Sequence, residues 1–131
     1  MKPLFRALAL GVLAAAASPA LAEAQSTKIP AGTYTLVVDS GAVLNAPIAS
    51  ITLVFTDSVL TANVDGQMVI RSRLSMKDDN LVMTDFEGEM ACAMPATYKV
   101  ELKPKGVRLT PLEDMCENRS IVLAAVTLVK M

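Results

Sequence analysis

Short segments of alternating apolar and polar residues, separated by turn-forming residues, recur along this chain and constrain its fold more than any other feature. Eight such segments lie at residues 33–38, 51–56, 59–64, 67–76, 81–86, 97–102, 107–112 and 121–130. Alternation with a period of two is typical of strands that bury one face. No segment has the spacing of a convincing helix. The sequence therefore predicts an all-β domain.

The connections between these segments indicate how the strands pair. Asp65-Gly66 tolerates positive φ at both turn positions and predicts a tight type I′ hairpin. Most other connections are also short, which favours antiparallel neighbours. Eight strands of this kind suit a small sandwich or, as we prefer, an up-and-down barrel over residues 32–131. A closed barrel of about eight strands is just filled by its side chains, or holds one small ligand.

The N-terminal segment has the pattern of a secretory signal. Lys2 and Arg6 precede an apolar run at residues 8–17, and Ala20-Leu21-Ala22 forms a small-residue cleavage site before Glu23. The run is too short for a transmembrane anchor, since a spanning helix needs about 20 apolar residues. We predict a signal peptide at residues 1–22, an extended N-terminal arm at 23–31, and a periplasmic or secreted mature protein without a membrane span.

The composition excludes several classes of function. The chain has no histidine or tryptophan, and its 12 basic residues are balanced by 13 acidic ones. This argues against histidine-based catalysis, a zinc finger and ordinary nucleic-acid binding. No local pattern indicates a Ser-Lys dyad or a catalytic pair of carboxylates. We therefore predict a protein that is not an enzyme and has no cofactor and no nucleic-acid partner.

The two cysteines are the strongest local signal in the mature chain. Cys92 and Cys116 are expected to form a disulfide after export, because their two connections lie at the same end of an up-and-down barrel. Closing that loop contributes roughly 3.5 kcal/mol in the chain-entropy view. Met90, Cys92 and Met94 could alternatively supply soft ligands to Cu(I), but only with a reduced Cys92. We predict the disulfide and no metal.

An acid and a guanidinium flank the second cysteine. Asp114 and Arg119 are predicted to close this end of the barrel, through a fork of hydrogen bonds from the arginine to a carboxylate and nearby carbonyls. Recognition of an anionic ligand by Arg119 is the alternative interpretation.

The strand parity predicts which residues line the barrel interior and mouth, near the 42–48 connection. Only three phenyl or phenol rings are expected to help fill that space, although the methionines of the chain are suited to filling irregular voids. A cavity for a small apolar ligand is therefore expected among the inward-facing residues, which are Tyr34, Leu36, Leu53, Phe55, Met68, Ile70 and Tyr98.

The last predicted strand is apolar on both faces. Its alternation would turn Val122, Ala124, Val126 and Leu128 outward. An exposed apolar stripe of this length usually needs a cover. We therefore expect a protein partner or self-association at this strand.

Several short motifs together resemble a known family. They are Asp65-Gly66, Thr84-Asp85, Ala91-Cys92, Ala96-Thr97-Tyr98 and the segment Asp114-Met115-Cys116-Glu117-Asn118-Arg119. The run is similar to small exported bacterial calycin-like (lipocalin-like) domains, whose functions are mostly uncharacterised. It departs from them at Ala96, where glycine is usual, and at Leu74, where a tyrosine is usual. The resemblance implies an eight-stranded barrel with a Cys92–Cys116 bridge, and it supplies no catalytic residues.

A looser resemblance is to exported bacterial metalloprotease inhibitors, small barrels with one disulfide that act through an N-terminal arm. Three hypotheses follow. The first is a binding barrel for a small apolar or amphipathic ligand. The second is a protease inhibitor that acts through its arm, and the third is a structural accessory barrel.

Overall fold

The protein is a closed barrel of eight antiparallel strands in sequential order. The computed structural model describes residues 27–45 and 47–131. The predicted signal peptide, its cleavage site and the first residues of the arm lie outside this part. The predicted all-β barrel is confirmed. Its strands are β1 (Gly32–Val38), β2 (Ile51–Phe55), β3 (Val59–Val64), β4 (Gln67–Lys77), β5 (Asn80–Glu87), β6 (Ala96–Lys103), β7 (Gly106–Glu113) and β8 (Val126–Lys130).

The connections alternate between two ends of the barrel. The connections at 39–50, 65–66, 88–95 and 114–125 share one end, which we call the open end. The shorter connections at 56–58, 78–79 and 104–105 share the other, the closed end. Asp65 and Gly66 have φ of 52° and 81°, as the predicted type I′ turn requires.

One helix interrupts the predicted last strand. The helix α1 (Glu117–Ala124) precedes β8, so the strand predicted over 121–130 is wrong in its first half. Val126 and Leu128 are buried and face the interior. The predicted outward apolar stripe is therefore also wrong, since its residues divide between a helix and the core. In the described part of the chain, no helix is long and apolar enough to cross a membrane.

Side-chain hydrogen bonds supplement the short pairing between β7 and β8, next to the point where α1 leads into β8. β7 and β8 are paired at Val107 and Leu128, whereas β8 pairs along its whole length with β1. Arg108 donates to Asp39 and, at 2.8 Å, to the carbonyl of Ala124. Thr127 Oγ1 donates to the same carboxylate at 2.6 Å. The carboxylate therefore links the end of β1 to β7 and β8.

The first described residues cover the closed end. Ile29 is 4% exposed and belongs to the core cluster. The Tyr34 hydroxyl donates to the Pro30 carbonyl at 2.6 Å, and its ring packs edge-on against Phe55 with centroids 5.4 Å apart. Residues 27–31 of the predicted arm therefore pack against the barrel.

Candidate functional site

A cavity of about 710 Å³ lies inside the open end. Its volume falls within the range of about 300–1,000 Å³ that is usual for small-molecule pockets. The cavity reaches solvent beside the exposed residues Glu117 and Asn118. Most of the lining is apolar, and its barrel wall includes Leu36, Leu53, Leu60, Ala62, Ile70 and Met83.

Three of the seven predicted cavity residues line this space. Leu36, Leu53 and Ile70 contribute to the wall. Tyr34, Phe55 and Tyr98 are instead packed into the core, each no more than 1% exposed. The aromatic rings therefore fill part of the barrel and leave the hollow at the end with α1.

The seventh predicted residue, Met68, is displaced by a bulge. Ala62 pairs with Ile70 but its neighbour Asn63 pairs with Met68, so β4 carries one extra residue at this point. A bulge changes the side of the sheet on which the following residues point. Val69, rather than Met68, lines the cavity.

Three segments form the roof over the cavity. Pro47 comes from the β1–β2 connection, Met90 to Cys92 come from the β5–β6 connection, and Cys116 begins the segment that leads into α1. Cys92 and Cys116 are joined in a disulfide with a Cα–Cα distance of 6.4 Å, which confirms the predicted bridge. A Cu(I) site would need Cys92 as a free thiolate. In the described residues no cluster of three His, Cys, Asp or Glu could hold a metal ion.

Buried charged and polar side chains meet at one wall of the cavity. Arg119 donates from Nε and Nη2 to the two carboxylate oxygens of Asp114, at 2.8 and 2.9 Å, and from Nη1 to Asp85 at 2.9 Å. Both carboxylates are fully buried, and the arginine side chain is 12% exposed. Ser72 donates to Asp85, and the Tyr98 hydroxyl donates to Asp114. We call these five residues the Arg119 cluster.

The cluster also holds the backbone at both ends of the disulfide. The amide of Cys92 donates to Asp85 at 2.7 Å, and the amide of Cys116 donates to Asp114 at 2.8 Å. Arg119 joins the two carboxylates, so it links β5, the β5–β6 connection and α1. This is the position that the fork of hydrogen bonds from Arg119 was predicted to take, although both acceptors are carboxylates.

Burial and pairing shift the pKa values in this cluster. Burial would raise the pKa of Asp114, but hydrogen bonds from Arg119, Tyr98 and the Cys116 amide outweigh it and lower that pKa. The pKa of Tyr98 is raised, first by burial and then by its hydrogen bond to Asp114 and the negative charge there. Burial would lower the pKa of Arg119, yet its two carboxylate partners keep it raised. These shifts favour a carboxylate at Asp114, a guanidinium at Arg119 and a neutral phenol at Tyr98.

Ser72 and Asp85 were not singled out as site residues from the sequence, although Asp85 was noted within a motif. Both occupy inward positions of their strands, because Ser72 lies two residues before the buried Leu74 and Asp85 lies two residues after the buried Met83. The signal that could have identified Asp85 as a site residue is its place at an inward-facing position of a strand. A carboxylate buried there must be paired with a cation or hydrogen-bond donors.

Exposed apolar side chains surround the open end. Of the large apolar residues that are exposed in the described chain, only Leu102 and Met131 lie toward the closed end. Those in or beside the open-end connections are Val37, Val38, Val43, Phe86, Met90, Met94, Leu112, Met115 and Ile121. The cavity therefore opens onto an apolar surface.

Comparison with family models, with curated protein sequences and with solved structures gives no match to this chain.

Proposed function

We propose that the protein is a non-enzymatic binding barrel of the calycin-like type, which is exported and holds a small apolar or amphipathic molecule in the open-end cavity. The observation that carries this proposal is the apolar cavity of about 710 Å³. An apolar space of this volume has the size and lining of a small-molecule pocket, where a ligand would gain packing contacts with the wall.

The chemistry of the lining also supports binding over catalysis. The two cysteines are bonded to each other, and the buried carboxylates of Asp85 and Asp114 are both paired with Arg119. Nucleophilic catalysis needs a side chain activated by a neighbouring base. These groups instead hold the roof of the cavity in place.

A fluorescent apolar probe tests the proposal. The neutral fluorophore N-phenyl-1-naphthylamine should bind the wild-type protein. Ala62→Phe should weaken that binding by about tenfold or more, because Ala62 lines the cavity and a phenyl ring would occupy it. Ala49→Phe is the matched control, since Ala49 is exposed outside the cavity. Melting midpoints of both variants show whether the barrel is intact.

Two results would contradict the binding proposal. One is the absence of probe binding to wild-type protein, and the other is equal binding by a folded Ala62→Phe variant. Native mass spectrometry of protein purified from its own cells should also show a copurified apolar molecule.

The proposed export has its own test, an intact-mass measurement on protein made in a secreting host. The expected mature protein begins at Glu23. Retention of Met1 would contradict export through a cleaved signal peptide.

A further inference from the structure

The polar wall of the cavity indicates which kind of polar end a ligand can carry. Among the described residues that line the cavity, Arg119 is the only cation, whereas Asp85 and Glu117 are both acidic. Arg119 is already paired with Asp85 and Asp114, and three of its N–H groups are donated to them. The wall therefore carries an excess of negative charge.

An anionic ligand would be unfavourable beside this wall. A carboxylate in the cavity would lose its hydration and lie close to buried carboxylates that outnumber the guanidinium. Burial and nearby like charge both disfavour a charged carboxylate. The presence of an arginine in the cavity thus does not make it a fatty-acid site.

An uncharged ligand hydroxyl, in contrast, matches the hydrogen-bond donors and acceptors that the cluster does not use internally. A guanidinium has five N–H donors, and the cluster uses three of those of Arg119. Ser72 donates its hydroxyl proton to Asp85, which leaves the lone pairs of Oγ able to accept. Both groups bind the same carboxylate, Ser72 at Oδ1 and Arg119 at Oδ2, and both line the cavity. A ligand hydroxyl could accept from Arg119 and donate to Ser72.

We propose that the cavity selects an uncharged amphiphile with a hydroxyl end, and that it discriminates against the corresponding carboxylate. This inference rests on the proposed binding function and adds the ligand class to it. The apolar chain would lie along β1, β2 and β3, opposite the Arg119 cluster.

Three amphiphiles of equal chain length test the selectivity by displacing N-phenyl-1-naphthylamine from wild-type protein at pH 7. They are 1-dodecanol, dodecanoate and dodecylammonium. We expect 1-dodecanol to displace the fluorophore at a concentration lower by about tenfold or more than dodecanoate. Dodecylammonium tests whether the negative charge of the wall alone selects the ligand. Equal or better displacement by dodecanoate would overturn the inference, and so would tighter binding of dodecylammonium.

A substitution on β4 locates the selectivity. Ser72→Ala removes the acceptor and should narrow the preference for the alcohol over the carboxylate by several-fold. Ser75→Ala is the matched control, because Ser75 is exposed on the same strand. A preference unchanged in a folded Ser72→Ala variant would overturn the assignment of Ser72. Failure of the fluorophore itself to bind wild-type protein would instead contradict the binding function, so the two failures are distinct.

Discussion

At the scale of single residues, the buried Arg119 cluster explains why the most distinctive motif has its spacing. The Asp114 carboxylate accepts from the Cys116 amide, and Arg119 lies in the first turn of α1, where its guanidinium reaches the same carboxylate. The sequence predicted hydrogen bonds from Arg119 to a carboxylate at this end of the barrel, and the structure pairs Arg119 with Asp114. The sequence was not sufficient to predict Ser72 and Asp85 as partners, because their proximity depends on the pairing of β4 with β5.

Removing the charge of Asp114 should destabilise the protein in a pH-dependent way. The pKa of Asp114 is lowered from 3.8, so the folded state favours its ionised form. The resulting stability is present above pH 3.8 and is lost as the pH falls through the lower folded-state pKa. Asp114→Asn should therefore cost about 3 kcal/mol at pH 7 and less in acid. Urea unfolding at pH 7, 5 and 3 measures this difference.

The control for this substitution is Asp78→Asn. Asp78 is exposed in a turn with φ of 52°, a conformation that asparagine also tolerates. The free energy of unfolding of the Asp78→Asn variant should stay within about 0.5 kcal/mol of the wild-type value. A pH-independent cost of Asp114→Asn would contradict the role of the ionised carboxylate.

The two tyrosines should resist ionisation in the folded protein. Burial raises the pKa of Tyr34, and burial together with Asp114 raises that of Tyr98. For a group with a raised pKa, the stabilisation is present below the unfolded value of about 10 and is lost as the pH rises through the folded-state pKa. Tyrosinate absorbance should therefore appear together with alkaline unfolding, and near pH 10 in denaturant. Because the chain has no tryptophan, the signal is direct. A folded protein that titrates near pH 10 would contradict this.

At the scale of elements, the sequence predicted the strands well and missed the helix for an identifiable reason. Residues 121–129 are apolar except for Thr127, and a run of this kind is typical of a buried strand. In the structure, Val122 and Leu123 belong to α1 and line the cavity, and the run changes to a strand after Ala125. A helix of eight residues has too few turns for its periodicity to stand out from the strand pattern that follows.

The β5–β6 connection should depend on a glycine at its first turn. Gly88 has φ of +117°, and a Cβ there would collide with the backbone of Val69. The amide of Met90 donates to the same Val69 carbonyl at 3.0 Å. Gly88→Ala should therefore move this segment, which is part of the cavity roof, away from β4, and faster hydrogen exchange of the Met90 amide would reveal the change.

Gly41→Ala is the control that separates two contributions to the destabilisation by Gly88→Ala, the collision of the new Cβ and the strain of a positive φ. Gly41 also has a positive φ, +86°, but its Cβ would meet no atom within 4 Å. Gly41→Ala should lower the free energy of unfolding by about 1–2 kcal/mol, because alanine disfavours the left-handed conformation. Gly88→Ala should cost clearly more in urea unfolding, and equal costs would contradict the close approach to Val69.

At the scale of the whole molecule, the two ends of the barrel differ in how their interior is packed. The order of strands and the disulfide at one end followed from counting segments and connections. The position of the cavity did not, because it depends on where aromatic rings fill the interior and on the bulge that replaces Met68 by Val69 in the wall. The closed end contains Tyr34 and Phe55, whereas the open end contains the hollow.

Truncating the Ile29 side chain, which covers the closed end, should destabilise the protein. Ile29 is 4% exposed within the core cluster, and Tyr34 donates to the neighbouring Pro30 carbonyl. Ile29→Ala should cost about 2–4 kcal/mol in urea unfolding, as for other buried isoleucines. Val43→Ala is the control, because Val43 is 86% exposed in the β1–β2 connection. Since Ile29 lies at the end opposite the cavity, the folded variant should still bind N-phenyl-1-naphthylamine with wild-type affinity. Unchanged stability in Ile29→Ala would mean that residues 27–31 do not close the barrel and would favour an arm that is available to a partner.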